Sequence, residues 1–142
     1  MEQNNSNHRR FVTGYHKILG SLYIVGLIGS IVNLSKSIST DNIYSASLIT
    51  LIFICLGLVG VFARSFALKA QDRAIRSEEN FRHYILTGNP LPSALKMAQI
   101  VALRFSGDEE FPELALLAVK NNLSAKDIKS SIQLWKPDYN RV

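Results

Sequence analysis

The feature that most constrains this chain is the stretch from Ile43 to Arg82. Its first half, Ile43 to Ala63, carries no charged residue, and from Arg64 onward it turns abruptly into a charged helical pattern. No Gly or Pro stands at the switch to break it. At ~1.5 Å of rise per residue the uncharged half covers about 30 Å, the thickness of a bilayer's hydrocarbon core. The pattern predicts one continuous helix that leaves the membrane at Arg64 and projects into water. A second uncharged block, Ile18 to Leu34, lies upstream, so the mean hydropathy of +0.10 averages two different regimes. His8, Arg9, Arg10 and Lys17 precede that block as they would in a signal peptide, but a second span follows it instead of a cleavage site and a soluble domain. The expected fold is all-α. It comprises an N-terminal segment 1–17, a two-span transmembrane hairpin (18–34 and 43–63), a juxtamembrane helix 64–88 and a tail 89–142 of about three helices.

Charge sets the expected orientation. Lys and Arg number 16 against 11 Asp and Glu, a formal +5. Arg9, Arg10 and Lys17 flank the first span and Arg64, Lys69, Arg73 and Arg76 follow the second, whereas the loop Ser35 to Asn42 holds only Lys36 and Asp41. The positive-inside rule then puts both termini in the cytoplasm. Arg64 is placed to snorkel to lipid headgroups, with Lys69 ~8 Å further along a straight helix. Arg73 and Arg76, at ~14–18 Å, lie beyond a Debye length of roughly 8 Å. Tyr15, Tyr44 and Phe66 stand where interfacial aromatics usually sit.

The first span carries Gly20, Gly26, Gly29 and Ser30, and the second carries Gly57, Gly60 and Ala63. Gly20 falls near the depth of Gly57 and Gly60, and small residues at matched depth let helices approach closely in lipid. That approach could serve the hairpin or join two chains. Neither span contains an ionisable residue, which favours an anchor over an ion or substrate path. Cys55, the one cysteine, reads as a small packing residue.

Beyond Arg64, Ala67, Ala70, Ala74, Ser77, Phe81 and Ile85 recur at helical spacing and form one face for close packing, on the tail or on a second copy. Asp72–Arg76 and Glu78–Arg82 are favourable i,i+4 pairs. Gly88, Pro90 and Pro92 end the rod. In the tail, Ser93 is expected to cap a helix through Phe105, with Leu95, Ala98, Ala102 and Phe105 inward. Ser106 and Glu109 form a candidate capping box for a second helix, with Pro112 in its first turn. That helix runs through LALLAV (Leu114 to Val119), apolar on every side, and stops at Asn121-Asn122. A second box, Ser124 with Asp127, opens a last helix carrying Ile128, Ile132 and Trp135, closed by Pro137. A tail of this size has a marginal core, so it must pack on the rod or between subunits.

Chemistry is sparse. Asp108, Glu109, Glu110 and Glu113 have the residue type for acid–base work, but no His, nucleophile or phosphate loop stands near them, and helix capping explains them. His8 and His16 match no zinc spacing. The helices around Asn121 to Ser124 have helix-turn-helix length, yet residues 89–142 hold 7 basic and 6 acidic side chains, so no nucleic acid is expected. No cofactor, metal or small-molecule substrate is expected either.

Four stretches, HRRFVTGYH (His8–His16), FALKAQDRAIRSEENFR (Phe66–Arg82), VALRFSGDEEFPEL (Val101–Leu114) and IKSSIQLWKPDYNRV (Ile128–Val142), together resemble an uncharacterised family of small two-span bacterial membrane proteins. The resemblance covers nearly the whole chain, departing at Thr13, where proline is common in that family. It implies a bacterial inner-membrane protein and carries no activity or catalytic residue. The polar residues of these motifs suggest a cytoplasmic ion-pair network of Asp72, Arg73 and Arg76, with Gln71, against Arg104, Asp108 and Glu109. Trp135, Asp138 and Arg141 would dock the C-terminus on it. The expected function is a non-enzymatic, membrane-anchored interaction or scaffold protein whose tail self-associates or docks on a partner, as a homo-oligomer or in a larger membrane complex. The alternatives are an oligomeric pore or transport-associated subunit and a membrane-tethered DNA-binding regulator.

Overall fold

The computed structural model describes residues 13–138, and within them every regular element is helical. A π-helical turn, Gly14–Leu19, leads into α1, Gly20–Ser37; α2 follows as Ile43–Thr87, and α3 (Met97–Leu103), α4 (Phe111–Lys120) and α5 (Ala125–Ser131) complete the order. The described residues divide into two compact units, 13–66 and 67–138, with the boundary inside α2. The 45-residue α2 is unbroken across the change from uncharged to charged sequence.

In the first unit, α1 lies antiparallel to the early part of α2. The Tyr23 hydroxyl donates to the Phe53 carbonyl at 3.0 Å, and the Thr50 hydroxyl lies 3.2 Å from the Ser30 carbonyl and 3.0 Å from that of Ala46. Two glycines make this possible. A Cβ on Gly26 would stand 2.5 Å from the Phe53 ring, and one on Gly57 would overlap the Tyr23 hydroxyl. Phe53 is one helical turn before Gly57, so the missing side chain opens the path by which Tyr23 reaches that carbonyl. Gly20 and Gly60 lie outside this contact within the chain: a Cβ at Gly20 would meet only the chain's own Tyr15 carbonyl, and one at Gly60 nothing within 4 Å. Cys55, expected to be a packing residue, is exposed.

The two apolar helices are long enough to cross a membrane. Their best windows have mean hydropathies of 1.8 in Gly14–Ser37 and 2.6 in Ile43–Thr87, and only 6% and 11% of those windows is covered by protein.

In the second unit, Ile75 of α2 joins Leu91, Leu95, Ile100, Leu103 and Ile128 in one core, together with the inner face of α4. α2 ends at Gly88, which takes a positive φ of 73° while its N–H donates to Tyr84 O at 2.8 Å. The next helix starts later than expected. Ser93 belongs to a turn in which Leu95 N donates to Pro92 O at 3.1 Å, and α3 opens at Met97 with the Gln99 side chain accepting from Lys96 N at 2.8 Å. Gln99, buried, also donates to Ala118 O and Leu123 O, tying the start of α3 to the end of α4. Leu95, Ala102 and Phe105 are buried as expected, but Ala98 is exposed.

The Ser106–Glu109 box does not form. The Ser106 hydroxyl donates back to Leu103 O at 2.6 Å, and α4 begins at Phe111 with Pro112 in its first turn. The carboxylate that works here is Glu110, which accepts from Gln133 N at 3.0 Å and Leu134 N at 3.1 Å. Leu114, Ala115 and Ala118 of α4 are buried, yet Leu116 is 61% exposed, so the LALLAV run is covered on one side only. Asn122 ends α4 with a φ of 45°, and the Ser124–Asp127 box opens α5 as predicted. α5 stops at Ser131. Trp135 lies past it, in an extended segment bridged to Ser106, with Lys136 N donating to Phe105 O at 2.7 Å. Gly107 admits that segment, since a Cβ there would stand 2.9 Å from the Leu134 Cβ.

Candidate functional site

The strongest concentration of polar interactions in the 67–138 unit lies on the side of α2 that carries Ile75, Glu79, Arg82 and His83. Glu79 lies four residues from both Ile75 and His83 and three from Arg82, spacings that put these side chains on one face. Ile75, Glu79 and His83 are buried; Ile75 joins the core of this unit and the His83 ring meets Phe111 at the start of α4. Arg82 is the hub. Its guanidinium donates to Glu79 Oε2 at 3.0 Å, to Asp108 Oδ1 at 2.6 Å and to the Ser106 carbonyl at 2.7 Å. Its flat face lies 4.4 Å above the Phe111 ring centroid. A planar fork with an apolar face suits this mixture of carboxylate, carbonyl and ring, which a lysine could not reproduce.

Burial pushes the Glu79 carboxyl above the usual carboxylate range, and the neighbouring Arg82 charge and hydrogen bond offset only part of that effect. His83 closes the other end of the face. Its Nδ1 lies 2.9 Å from the Asn89 carbonyl, which can only accept, so Nδ1 carries the proton. Its ring meets Phe111 edge-on at 5.8 Å, and the Thr87 hydroxyl, 3.2 Å from Nδ1, donates to His83 O at 2.8 Å.

A second ion pair, Arg104 to Asp138 at 3.1 Å, lies close by. The Arg104 guanidinium packs 4.7 Å over the Phe105 ring, whose face also stacks on Trp135 at 4.8 Å. Between the pairs is a cleft of about 300 Å³, bounded by Gln71, Ile75 and Glu79 on α2 and by Arg104, Lys136 and Asp138. A groove of about 350 Å³ carries Phe81 and Ile85 beside Arg82 and Asp108.

The expected network is therefore only partly the one present. Arg104 and Asp108 take part, but Arg104 pairs with Asp138 and Asp108 with Arg82. Arg82 pairs with Glu79 at i−3, not with Glu78 at i−4. Among the described residues Asp72, Arg73, Arg76 and Glu109 make no ion pair, while Trp135 serves as a stacking partner for Phe105. Arg141, His8, Arg9 and Arg10 lie outside the described residues. Ala67, Ala70, Ala74 and Phe81 are exposed, as are Arg64 and Lys69. The tail packs on the neighbouring face, which holds Glu79, Arg82 and His83. His16 lies in the π-helical turn against the Tyr15 ring at 5.2 Å, and no group of three or more metal-ligating side chains comes together among the described residues.

The chain belongs to a family of unknown function (DUF6526), whose model matches residues 1–142. No curated protein and no solved structure matches it.

Proposed function

We propose that this member of DUF6526 is a non-enzymatic membrane anchor for a helical interaction unit. In this reading α1 and the early part of α2 cross a bacterial inner membrane as a hairpin, with both termini cytoplasmic, and the 67–138 unit self-associates or docks on a partner protein. The observation that carries the reading is the pair of long apolar helices that protein leaves almost wholly uncovered. In water such faces would be expensive; roughly 25 cal/mol is lost per Å² of apolar surface left wet. Lipid removes that cost. The polar side chains of the pair also favour an anchor over a pore. Ser30 and Thr50 are buried, and their hydroxyls are satisfied by main-chain carbonyls of α1 and α2.

Fractionation tests the anchor: the protein is expected to stay in membrane pellets through alkaline carbonate. Single-cysteine labelling on a Cys55→Ala background tests its direction. Ser39→Cys is expected to react with an impermeant maleimide in intact cells and Ser77→Cys only after lysis. Release by carbonate, or the opposite labelling pattern, overturns the reading.

A further inference from the structure

On the 67–138 unit, α2, the segment after Gly88 and α3 border an open groove of about 450 Å³ whose lining differs in kind from the clefts beside it. The cleft at Glu79 and the groove at Asp108 each carry carboxylates, but this one has none. Its polar wall is Arg73, Arg76, Ser77 and Asn80 with Ser93 opposite, and its apolar wall is Leu91, Pro92 and Ile100. Arg73 and Arg76 are one helical turn apart, both are exposed, and neither has an ion-pair partner among the described residues. Like charges at that spacing repel, and a shared anion would relieve the repulsion. Asn80 is already oriented, because its side-chain oxygen accepts from Leu91 N at 2.9 Å and its amide N–H groups remain as donors.

We propose that this groove binds a phosphomonoester: the phosphate on Arg73 and Arg76, with Ser77, Ser93 and Asn80 as further donors, and an organic body against Leu91 and Ile100. Paired guanidinium groups match phosphate oxygens in number and geometry. The groove has room for more than a bare phosphate, so an organic body can lie along its apolar wall. The proposal stands independently of the membrane reading. The phosphate could belong to a soluble compound or to a lipid headgroup.

The test is calorimetric titration of the full chain in maltoside micelles with phenyl phosphate, benzenesulfonate and inorganic phosphate. Phenyl phosphate is expected to saturate one site. The singly charged sulfonate and the ring-free phosphate are expected to bind more weakly. The R73Q/R76Q variant is expected to lose at least about tenfold in affinity, as removal of two charge-assisted contacts implies, with an unchanged Trp135 emission spectrum, while R73K/R76K recovers part of it. Nanodiscs with and without phosphatidic acid separate the sources. Competition with phenyl phosphate assigns the site to a headgroup, and its absence assigns it to a soluble ligand. Equal affinity in the R73Q/R76Q variant, or no saturable phenyl phosphate binding in micelles or in phosphatidylcholine nanodiscs, overturns the proposal.

Discussion

Arg82 and Phe111 face each other across the joint between α2 and α4, with the guanidinium carbon 4.4 Å from the ring centroid. Phe111 is fully buried and begins α4, so the contact fixes where that helix starts against the rod. The same guanidinium also satisfies Glu79, Asp108 and the Ser106 carbonyl. One side chain thus carries the polar half of the packing between α2 and the α3–α4 connection.

Replacing Arg82 by Met keeps most of the apolar stem but strands the buried Glu79 carboxylate and the Ser106 carbonyl. Breaking a buried pair from one side costs about 3–5 kcal/mol, and the partial exposure of Arg82 places the loss near the lower end. Trp135 is the chain's single tryptophan and stacks on Phe105 inside this unit, so its fluorescence reports the unit selectively. In urea titrations of the full chain in micelles, Arg82→Met is expected to lower the Trp135 midpoint clearly. A midpoint equal to that of the unchanged chain would show that the hub is not structural.

Glu79 and Asp127 make opposite pH predictions. Burial raises the Glu79 pKa above its ordinary 4.5, so the folded state holds that proton more tightly than the unfolded chain. Its contribution to stability is fully present below pH 4.5 and lost as pH rises through the raised folded value. Hydrogen bonds from the Ser124 hydroxyl and N–H lower the Asp127 pKa below 3.8, so its contribution is present above that pH and lost as pH falls through the depressed value. Glu79→Gln, which keeps an acceptor for Arg82, is expected to flatten the decline above pH 4.5 and to be no less stable than the parent at pH 7. Asp127→Asn is expected to remove the acid-side loss instead. A Glu79→Gln stability curve parallel to the parent's above pH 4.5 would assign the slope to other groups.

The unbroken α2 and the two apolar helices are readable from residue order, because an uncharged run and the absence of Gly or Pro at Arg64 are local signals. The face of α2 that meets the tail is not. Periodicity selects Ala67, Ala70, Ala74 and Phe81 because they are small or apolar, yet the buried positions are Ile75, Glu79 and His83, two of them ionisable. Hydrophobic patterning cannot mark a face whose polar groups are satisfied by Ser106 and Asp108, since those partners lie more than twenty residues away. The same holds for Glu110, whose acceptors' donors, Gln133 N and Leu134 N, lie more than twenty residues away. The Ser124–Asp127 box was within reach because all its atoms sit within one turn. Ser106–Glu109 has the same spelling, but the Ser106 hydroxyl had a nearer acceptor at Leu103. The one available clue to the true face was the spacing of Ile75, Glu79 and His83, each four residues from the last.

Within the helix pair, Gly26 and Gly60 are expected to behave differently although both are glycines in apolar helices. A side chain at Gly26 would enter the Phe53 ring, whereas one at Gly60 has open space. Overpacking of this kind costs about 1–3 kcal/mol. Disulfide formation between Ser30→Cys and Thr50→Cys on a Cys55→Ala background measures the pairing. Adding Gly26→Leu is expected to reduce the crosslinked fraction several-fold, and adding Gly60→Leu to leave it unchanged. Equal yields in both would mean that these helices are not held together through the Gly26–Phe53 contact.

The exposed face of α2 bears on assembly. Ala67, Ala70, Ala74, Ser77 and Phe81 alternate at three- and four-residue steps, the repeat that keeps one seam against a partner helix, and none is covered within the chain. Small side chains there would allow two rods to approach at the short end of the usual 8–10 Å interaxial range. If this face joins two copies, Ala70→Glu with Ala74→Glu places like charges at the closest point of contact and separates them. Blue-native electrophoresis in mild detergent is expected to show the parent chain as a multimer and the double variant as a monomer, with identical Trp135 emission because both sites are exposed. A parent chain that runs as a monomer in nanodiscs as well as in detergent would rule out self-association. The docking role of the unit would then rest on a different protein.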